Sequence, residues 1–245
     1  MGRLSWRLAD VAEVKPETDR VVTLALDVPD WDGHLPGQHL DVLLTAEDGY
    51  QAERSYSIAS APGASHVELA IERLDDGEVS PYLAGELRKG DQLELRGPIG
   101  GYFVWEPDQG GPLLLVAGGS GVAPLMAMVR QRAAAGSDVP ARLLYSARTL
   151  EDVIFRGELE RLDAADDSLT ITYALTRAQP AGWPGYGRRI DAAMLEEVSW
   201  PPGERPLAYV CGPTRLVEAV AGDLVALGHD PSRVRTERFG PTGVP

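Results

Sequence analysis

Cysteine is nearly absent: the 245-residue chain carries one, Cys211. A single thiol excludes an intrachain disulfide and any cysteine cluster for zinc or an iron–sulfur centre. Histidine is also scarce, with four residues at 34, 39, 66 and 229 and no metal-ligand spacing among them. Long hydrophobic runs are missing. PLLLVAG at 112–118 falls far short of the about 20 residues that cross a bilayer, so membrane insertion is not expected. Basic residues are in the minority, 23 Lys and Arg against 37 Asp and Glu, for a formal charge of -14. Nucleic acid is held by a basic footprint, so it is not an expected partner. The N-terminal MGRLSWRLADV has no long apolar core and no small-residue cleavage site, which makes the cytoplasm the expected compartment.

Two textures divide what is present. In residues 1–103, VVTLALDV (21–28), HLDVLLTA (39–46), HVELAIER (66–73) and QLELRGPI (92–99) alternate or nearly alternate in polarity. Gly, Pro and Asp separate them. That pattern predicts an antiparallel sheet or small barrel with one wet face. SPYLAGEL (80–87) is the helix candidate of this half. VWEPDQGGP (104–112) reads as a linker, and the expected division is 1–107 and 108–245. Beyond it, apolar strands alternate with helical stretches: PLLLVA, a helix near 123–135, RLLYS (142–146), a helix near 155–162, and SLTITYAL (168–175). A helix near 191–198, LAYVC (207–211) and RLVEAVAGDLVAL (215–227) complete the series. Such alternation predicts a parallel sheet covered on both sides.

In PLLLVAGGSGVAP, glycines at 118, 119 and 121 stand between a strand and a helix. Glycines there permit a tight turn and let backbone N–H groups approach a phosphate at a helix N-terminus. Gly119 and Gly121 are the candidate cradle, and Pro124 suits the first helical turn. The next strand ends in YSAR, which offers Ser146 and Arg148, with Arg156 one short element later. A Rossmann-type NAD site usually presents a carboxylate there for the ribose hydroxyls. A hydroxyl with guanidinium groups suits a 2′-phosphate instead, so NADPH is expected over NADH, which stays the alternative donor. Pairing of those arginines with Glu151 or Asp152 is the plain alternative. In YVCGP (209–213) a strand again enters a helix through Gly-Pro; Cys211 either packs against a nicotinamide ring or is a buried core thiol.

ERSYSIAS (53–60) is crowded with hydroxyls. On a strand, Arg54 and Tyr56 face one way and Ser55 and Ser57 the other. Arg54 suits a phosphate, Tyr56 an aromatic plane and Ser57 a ring edge; a solvated edge strand is the alternative.

Taken in order, RSYS, GEVSPYL, GPIGGYF, GGSGVAP, YSAR, YVCGP and a terminal ERFGPTG closely resemble the ferredoxin–NADP reductase superfamily, most of all the reductase modules that feed oxygenases. The resemblance covers almost the whole chain. It implies a flavin-binding barrel over 1–107 followed by a nicotinamide-nucleotide α/β domain over 108–245. Arg54 would then pair with a flavin pyrophosphate, Tyr56 would pack against the flavin, and Ser57 would lie near its N5 atom. Gly77, Val79 and Ser80 resemble the second phosphate-binding segment. Thr176 and Arg177 match a position near the nucleotide's ribose or phosphates, and Cys211 and Gly212 would border the nicotinamide. Glu237 and Phe239 resemble a C-terminal segment near the flavin, with Glu237 either tuning charge and relaying a proton or pairing with Arg235 or Arg238. FAD is expected over FMN because a full pyrophosphate site is implied. Relatives with a fused iron–sulfur domain carry a four-cysteine signature, absent here, so the expected acceptor is a separate molecule such as a ferredoxin, a haem or a molybdenum protein. The competing expectations are a free flavin reductase and a non-enzymatic docking module of the same fold.

Overall fold

The computed structural model describes residues 5–240. Its first half winds six strands, β1 (Arg7–Pro16), β2 (Val21–Asp27), β3 (His39–Thr45), β4 (Gln51–Ser57), β5 (Val67–Glu72) and β6 (Gln92–Ile99), into one antiparallel sheet of order β4-β3-β6-β1-β2-β5. The two outer strands curl back to meet each other. Ile58 bridges Leu69, and the Ala59 N–H donates to the Glu68 carbonyl at 2.8 Å. The sheet therefore closes on itself at this point into the expected small barrel. Leu24, Leu26, Leu40, Val42, Ile58, Leu69, Ile71 and Leu95 fill the interior with no exposed surface. Burial of each such side chain stabilises by roughly 1.5–3 kcal/mol. The helix α1 (Ser80–Gly85) adds Leu83 to that core, and Leu87 follows just after it.

The second half is a five-stranded parallel sheet. Its elements are β7 (Leu113–Gly118), α2 (Val122–Ala134), β8 (Ala141–Ala147), α3 (Arg156–Ala165) and β9 (Leu169–Leu175). After these come α4 (Ala192–Val198), β10 (Leu207–Pro213), α5 (Thr214–Ala226) and β11 (Val234–Phe239). The spatial order is β11-β10-β7-β8-β9. All six residues of β7 are buried, as a continuous apolar run requires of a strand covered on both faces. Alternate residues serve opposite layers: Leu113, Leu115 and Ala117 pack with α2, while Leu114 and Val116 pack with α4 and α5. The chain moves outward from β7 through β8 and β9, then returns to the other side of β7 as β10. That reversal opens a crevice beyond the ends of β7 and β10, where open α/β sheets bind ligands.

The fold agrees with the two textures in the sequence, with two additions. β1 and β11 carry no clear alternation. β1 is broken by a register shift between Val11 and Glu13, and β11 is a short, polar edge strand. The segment expected to link the halves is well packed. Trp105 is fully buried in the same apolar cluster as β7, and its indole N–H donates to the Gly110 carbonyl at 3.2 Å.

That cluster crosses between the halves, for it contains Val21, Ala59 and Ala70 of the barrel beside the residues of α2. Polar bonds reinforce it. Arg130 of α2 donates to the Ala59 carbonyl at 2.9 Å and to Glu68 at 2.7 Å, and it also pairs with Glu158 of α3. Tyr209 of β10 donates its hydroxyl to the Val104 carbonyl at 2.7 Å.

Candidate flavin and nicotinamide site

On β4 the pleat alternates as expected. Arg54 and Tyr56 oppose Val42 and Leu40, and Ser55 and Ser57 oppose Asp41 and His39. Tyr56 is half-buried against the barrel core, and burial pushes its phenol up to about 12. The Arg54 guanidinium is exposed and donates to the Glu53 carbonyl at 2.7 Å and to the Glu78 carboxylate. Tyr50 donates its hydroxyl to the other Glu78 oxygen at 2.8 Å. Glu78 therefore brings Arg54 onto the 77–80 segment, the two candidate phosphate-binding pieces. Sequence motifs did not single out Glu78 or Tyr50. Their contact sets the loop before β4 against the loop before α1 and has no local signal.

Gly77 is held tightly in this segment: a Cβ there would lie 2.9 Å from Ser80 Oγ and 3.1 Å from the Leu74 carbonyl oxygen. Val79 and Ser80 are buried at the start of α1. The Ser80 hydroxyl accepts from the Leu74 N–H at 3.0 Å, which leaves its own O–H to donate. The first N–H groups of a helix have no intrahelical acceptor. A guanidinium beside such donors makes a cradle for an anion.

Ser57 has a different character. Only 5% exposed, its buried hydroxyl has no hydrogen-bond partner. An orphaned buried polar group costs about 1–3 kcal/mol, and a ligand's ring edge would satisfy it. Ser55 is already engaged: it donates to Asp41 at 2.6 Å, which also accepts from Arg96 at 2.8 Å.

Across the crevice, β7 runs through a tight turn at Gly119–Gly121 into α2. A side chain at 121 is impossible without backbone movement, since a Cβ would sit 2.3 Å from the Cys211 carbonyl oxygen. Gly212 has φ +153°, and a Cβ there would meet the Gly118 backbone at a tight 3.0–3.1 Å. Pro124 is buried in the first turn of α2. Cys211 is fully buried near the end of β10. Burial, with Glu237 nearby, pushes its thiol well above the ordinary value. A thiol so protected stays protonated.

The parallel pairing of β10 with β11 sets Cys211 beside Glu237 and Pro213 beside Phe239. Glu237 has a buried oxygen without a partner, and burial pushes its carboxyl up to about 7. Neither neighbouring arginine pairs with it among the described residues. Arg235 donates to the Val104 carbonyl at 2.7 Å and to the Tyr209 hydroxyl at 3.0 Å, and Arg238 lies 4.0 Å from Glu218. Phe239 packs against the interdomain cluster. Residues 241–243 of the terminal ERFGPTG lie outside the described residues.

At the outer end of the crevice, Ser146 is buried and Arg148 exposed. Thr176 donates through N–H and Oγ1 to the Ala147 carbonyl at 3.0 and 3.2 Å, and the Arg177 N–H donates to the Arg148 carbonyl at 2.8 Å. Arg148 and Arg177 thus leave adjacent strand ends side by side, both exposed. Asp152 is taken by Thr149 at 3.1 Å. Arg156 stands at the start of α3 and pairs with Glu160 at 2.7 Å.

A barrel carrying a partnerless buried hydroxyl, joined to a doubly wound sheet whose glycine turn opens on the switch crevice, is the two-module layout of a nucleotide-dependent oxidoreductase. The comparisons with known proteins agree. Residues 6–104 match the family model described as an oxidoreductase FAD-binding domain, and residues 115–222 match an oxidoreductase NAD-binding domain. The chain is 34% identical over 218 residues to a ferredoxin–NADP reductase B of Sorangium cellulosum, covering 86% of this chain and 88% of that one. It is 34% identical over 212 residues to the glycine betaine monooxygenase reductase subunit of Chromohalobacter salexigens, covering 84% of this chain and 56% of that subunit. It thus spans just over half the length of that relative. The flavohem-like FAD/NAD-binding domain of nitric oxide dioxygenase from Vibrio cholerae superposes with a TM-score of 0.85 at 26% identity, covering 96% of this chain and 99% of that domain. The chain belongs to the ferredoxin–NADP reductase superfamily of flavoprotein reductases. No helix among the described residues is long and apolar enough to cross a membrane.

Glu237 gives a test of the site's electrostatics. Its folded value of about 7 lies above the ordinary 4.5. Below pH 4.5 the group is protonated folded and unfolded, and its burial costs nothing on this account. As pH rises towards and through 7, the unfolded chain sheds the proton more readily, and stability is lost. Glu237→Gln should remove that loss. The fall in unfolding midpoint between pH 5 and 8 should shrink by roughly 5 °C relative to wild type; parallel profiles would mean that Glu237 is solvated.

Proposed function

We propose that the protein takes a hydride from NAD(P)H onto bound FAD and hands the electrons to a separate acceptor protein, such as a ferredoxin, a haem or a molybdenum protein. The observation that carries this is the buried, partnerless hydroxyl of Ser57 on the same strand as Arg54 and Tyr56. We place the FAD-binding module at 1–107 and the nucleotide-binding module at 108–245. When bound, FAD supplies the chemistry: its N5 accepts the hydride from C4 of the nicotinamide, and the reduced ring gives up electrons singly or in pairs.

The chain's residues bind and orient. Arg54, with Gly77 and the backbone of Val79 and Ser80, holds the pyrophosphate, and displacement of Glu78 from Arg54 accompanies binding. Tyr56 packs against the flavin, and Ser57 donates to the ring edge that receives the hydride. Ser55 supports the strand through Asp41. Gly119 and Gly121 bring turn N–H groups to the nucleotide, and Pro124 starts the helix behind them. Cys211 and Gly212 form a small, uncharged floor for the nicotinamide. Glu237, half-protonated near neutrality, holds a proton beside that floor, and Phe239 closes the apolar side. Arg148 and Arg177, with Ser146 and Thr176 behind them, offer positive charge for a 2′-phosphate, which favours NADPH over NADH. Arg156 adds to this positive field from α3. The nicotinamide pool that feeds such a reaction gives the protein a cytoplasmic setting.

One observation favours a second assignment. The Glu78 carboxylate occupies the guanidinium that FAD needs, which suits a flavin that comes and goes, as in a free flavin reductase. Yellow colour retained through desalting would reject it.

Two substitutions test the main assignment. Ser57→Ala should slow flavin reduction by roughly 10–100-fold at saturating NADPH while FAD affinity changes less. Equal stopped-flow rates would remove Ser57 from the reaction. Arg148→Ala should raise the KM for NADPH about tenfold and leave that for NADH nearly unchanged. Parallel rises would reject the 2′-phosphate assignment.

A further inference from the structure

Three contacts hold the glycine turn between β7 and α2. Tyr145 of β8, fully buried, donates its hydroxyl to the Gly119 carbonyl at 3.0 Å and accepts from the Ile154 N–H at 3.2 Å. On the β10 side, Gly121 lies flat against the Cys211 carbonyl. Both contacts tie the turn to its own sheet. The third leaves the sheet: Ser120 Oγ donates to Glu72 Oε2 at 2.7 Å, and Glu72 is the last residue of β5 in the barrel.

A hydroxyl donating to a carboxylate at this distance makes a strong, charge-assisted bond. It is one end of a two-point fastening. Glu68 and Glu72 lie four residues apart on β5, so both face the same way. Glu72 takes Ser120, two residues before α2, and Glu68 takes Arg130 within that helix at 2.7 Å. The same Arg130 holds the Ala59 carbonyl, and Ala59 follows Ser57 by two residues. The barrel wall carrying the orphaned hydroxyl and the turn facing the nucleotide are thereby referenced to each other.

We propose that Glu72 is a positioning residue which, through Ser120, sets the separation of the nucleotide turn from the flavin face beside Ser57 without contributing to nucleotide affinity. This rests on the hydride-transfer assignment above. Hydride transfer requires the reacting atoms about 3–3.5 Å apart, and a misplacement of about 1 Å costs about 100-fold in rate. Nucleotide phosphates, in contrast, meet a turn whose shape Tyr145 and Gly121 preserve even when Ser120 is released. Loss of the tether therefore acts on the rate and spares binding.

The test uses the FAD-loaded protein and the variants Glu72→Ala, Glu72→Gln, Ser120→Ala and the double Ala variant. Flavin reduction is followed anaerobically by stopped flow at saturating NADPH, and NADP+ affinity by titration calorimetry. Glu72→Ala and Ser120→Ala should each slow reduction roughly tenfold. Both should keep the NADP+ Kd within about twofold, and the double variant should be no slower than either single one, because one bond is shared. Glu72→Gln, whose amide oxygen still accepts from Ser120, should return to within about threefold of wild type. Unchanged rates in the Ala variants, NADP+ affinity falling in step with rate, or a Gln variant as slow as Ala would each overturn the tether. If Glu72→Ala does not fold, Ser120→Ala decides, since it removes one hydroxyl. A wild-type flavin that NADPH and NADH both leave oxidised would overturn the proposed function along with the tether, whereas normal wild-type reduction with indifferent variants overturns the tether alone.

Discussion

Arg130 is the fastening on which the geometry of the cleft depends. Its guanidinium uses every face: two nitrogens bind the two oxygens of Glu158 at 2.9 and 2.7 Å, and the third meets Glu68 and the Ala59 carbonyl. The Phe155 ring lies beneath it at 4.9 Å. Burial works against its charge, but the carboxylates of Glu158 and Glu68 outweigh that cost and move its pKa upward. Removing one member of such a buried set leaves the others uncompensated. The barrel and the parallel sheet are therefore held at one spacing, with their apolar cluster sealed behind the charges.

That spacing gives the cleft its chemistry. On one wall β4 carries a partnerless hydroxyl, a half-buried tyrosine and an arginine paired with Glu78 ahead of α1. On the other, glycines bring the backbone close at the switch crevice, and the Cys211 thiol lies fully buried behind them in the interdomain cluster. Neither wall contains a nucleophile activated by a base, and among the described residues no cluster of His, Cys, Asp or Glu could hold a metal. The catalytic power of such a site lies in orientation and charge around bound cofactors. Burial pushes the carboxyl of Glu237 in that cleft up to about 7.

Much of this was legible in the sequence. A strand that alternates cleanly, such as β6, and the buried run of β7 announce themselves through periodicity. The glycine turn and the Gly-Pro after Cys211 do so through backbone need. β1 is hidden because a bulge breaks its alternation, and β11 because an edge strand needs little apolar content. The pairs that complete the site leave no local trace. Glu78 reaches Arg54, Asp41 reaches Ser55 and Glu72 reaches Ser120 across 24, 14 and 48 residues, distances that only strand register and domain packing bring together. Glu237 shows the same limit from the other side: arginines at 235 and 238 look like partners in the sequence, yet Arg235 is taken by the Val104 carbonyl.

The central claim is that a flavin lies between the hydroxyl-bearing wall of the barrel and the glycine turn, within reach of a nicotinamide. Anaerobic addition of NADPH or NADH to the purified, FAD-loaded protein tests it most directly, with the visible absorbance of the oxidised flavin as the readout. Rapid bleaching at one flavin per nucleotide consumed is the predicted result. A spectrum that neither nucleotide alters would contradict the account.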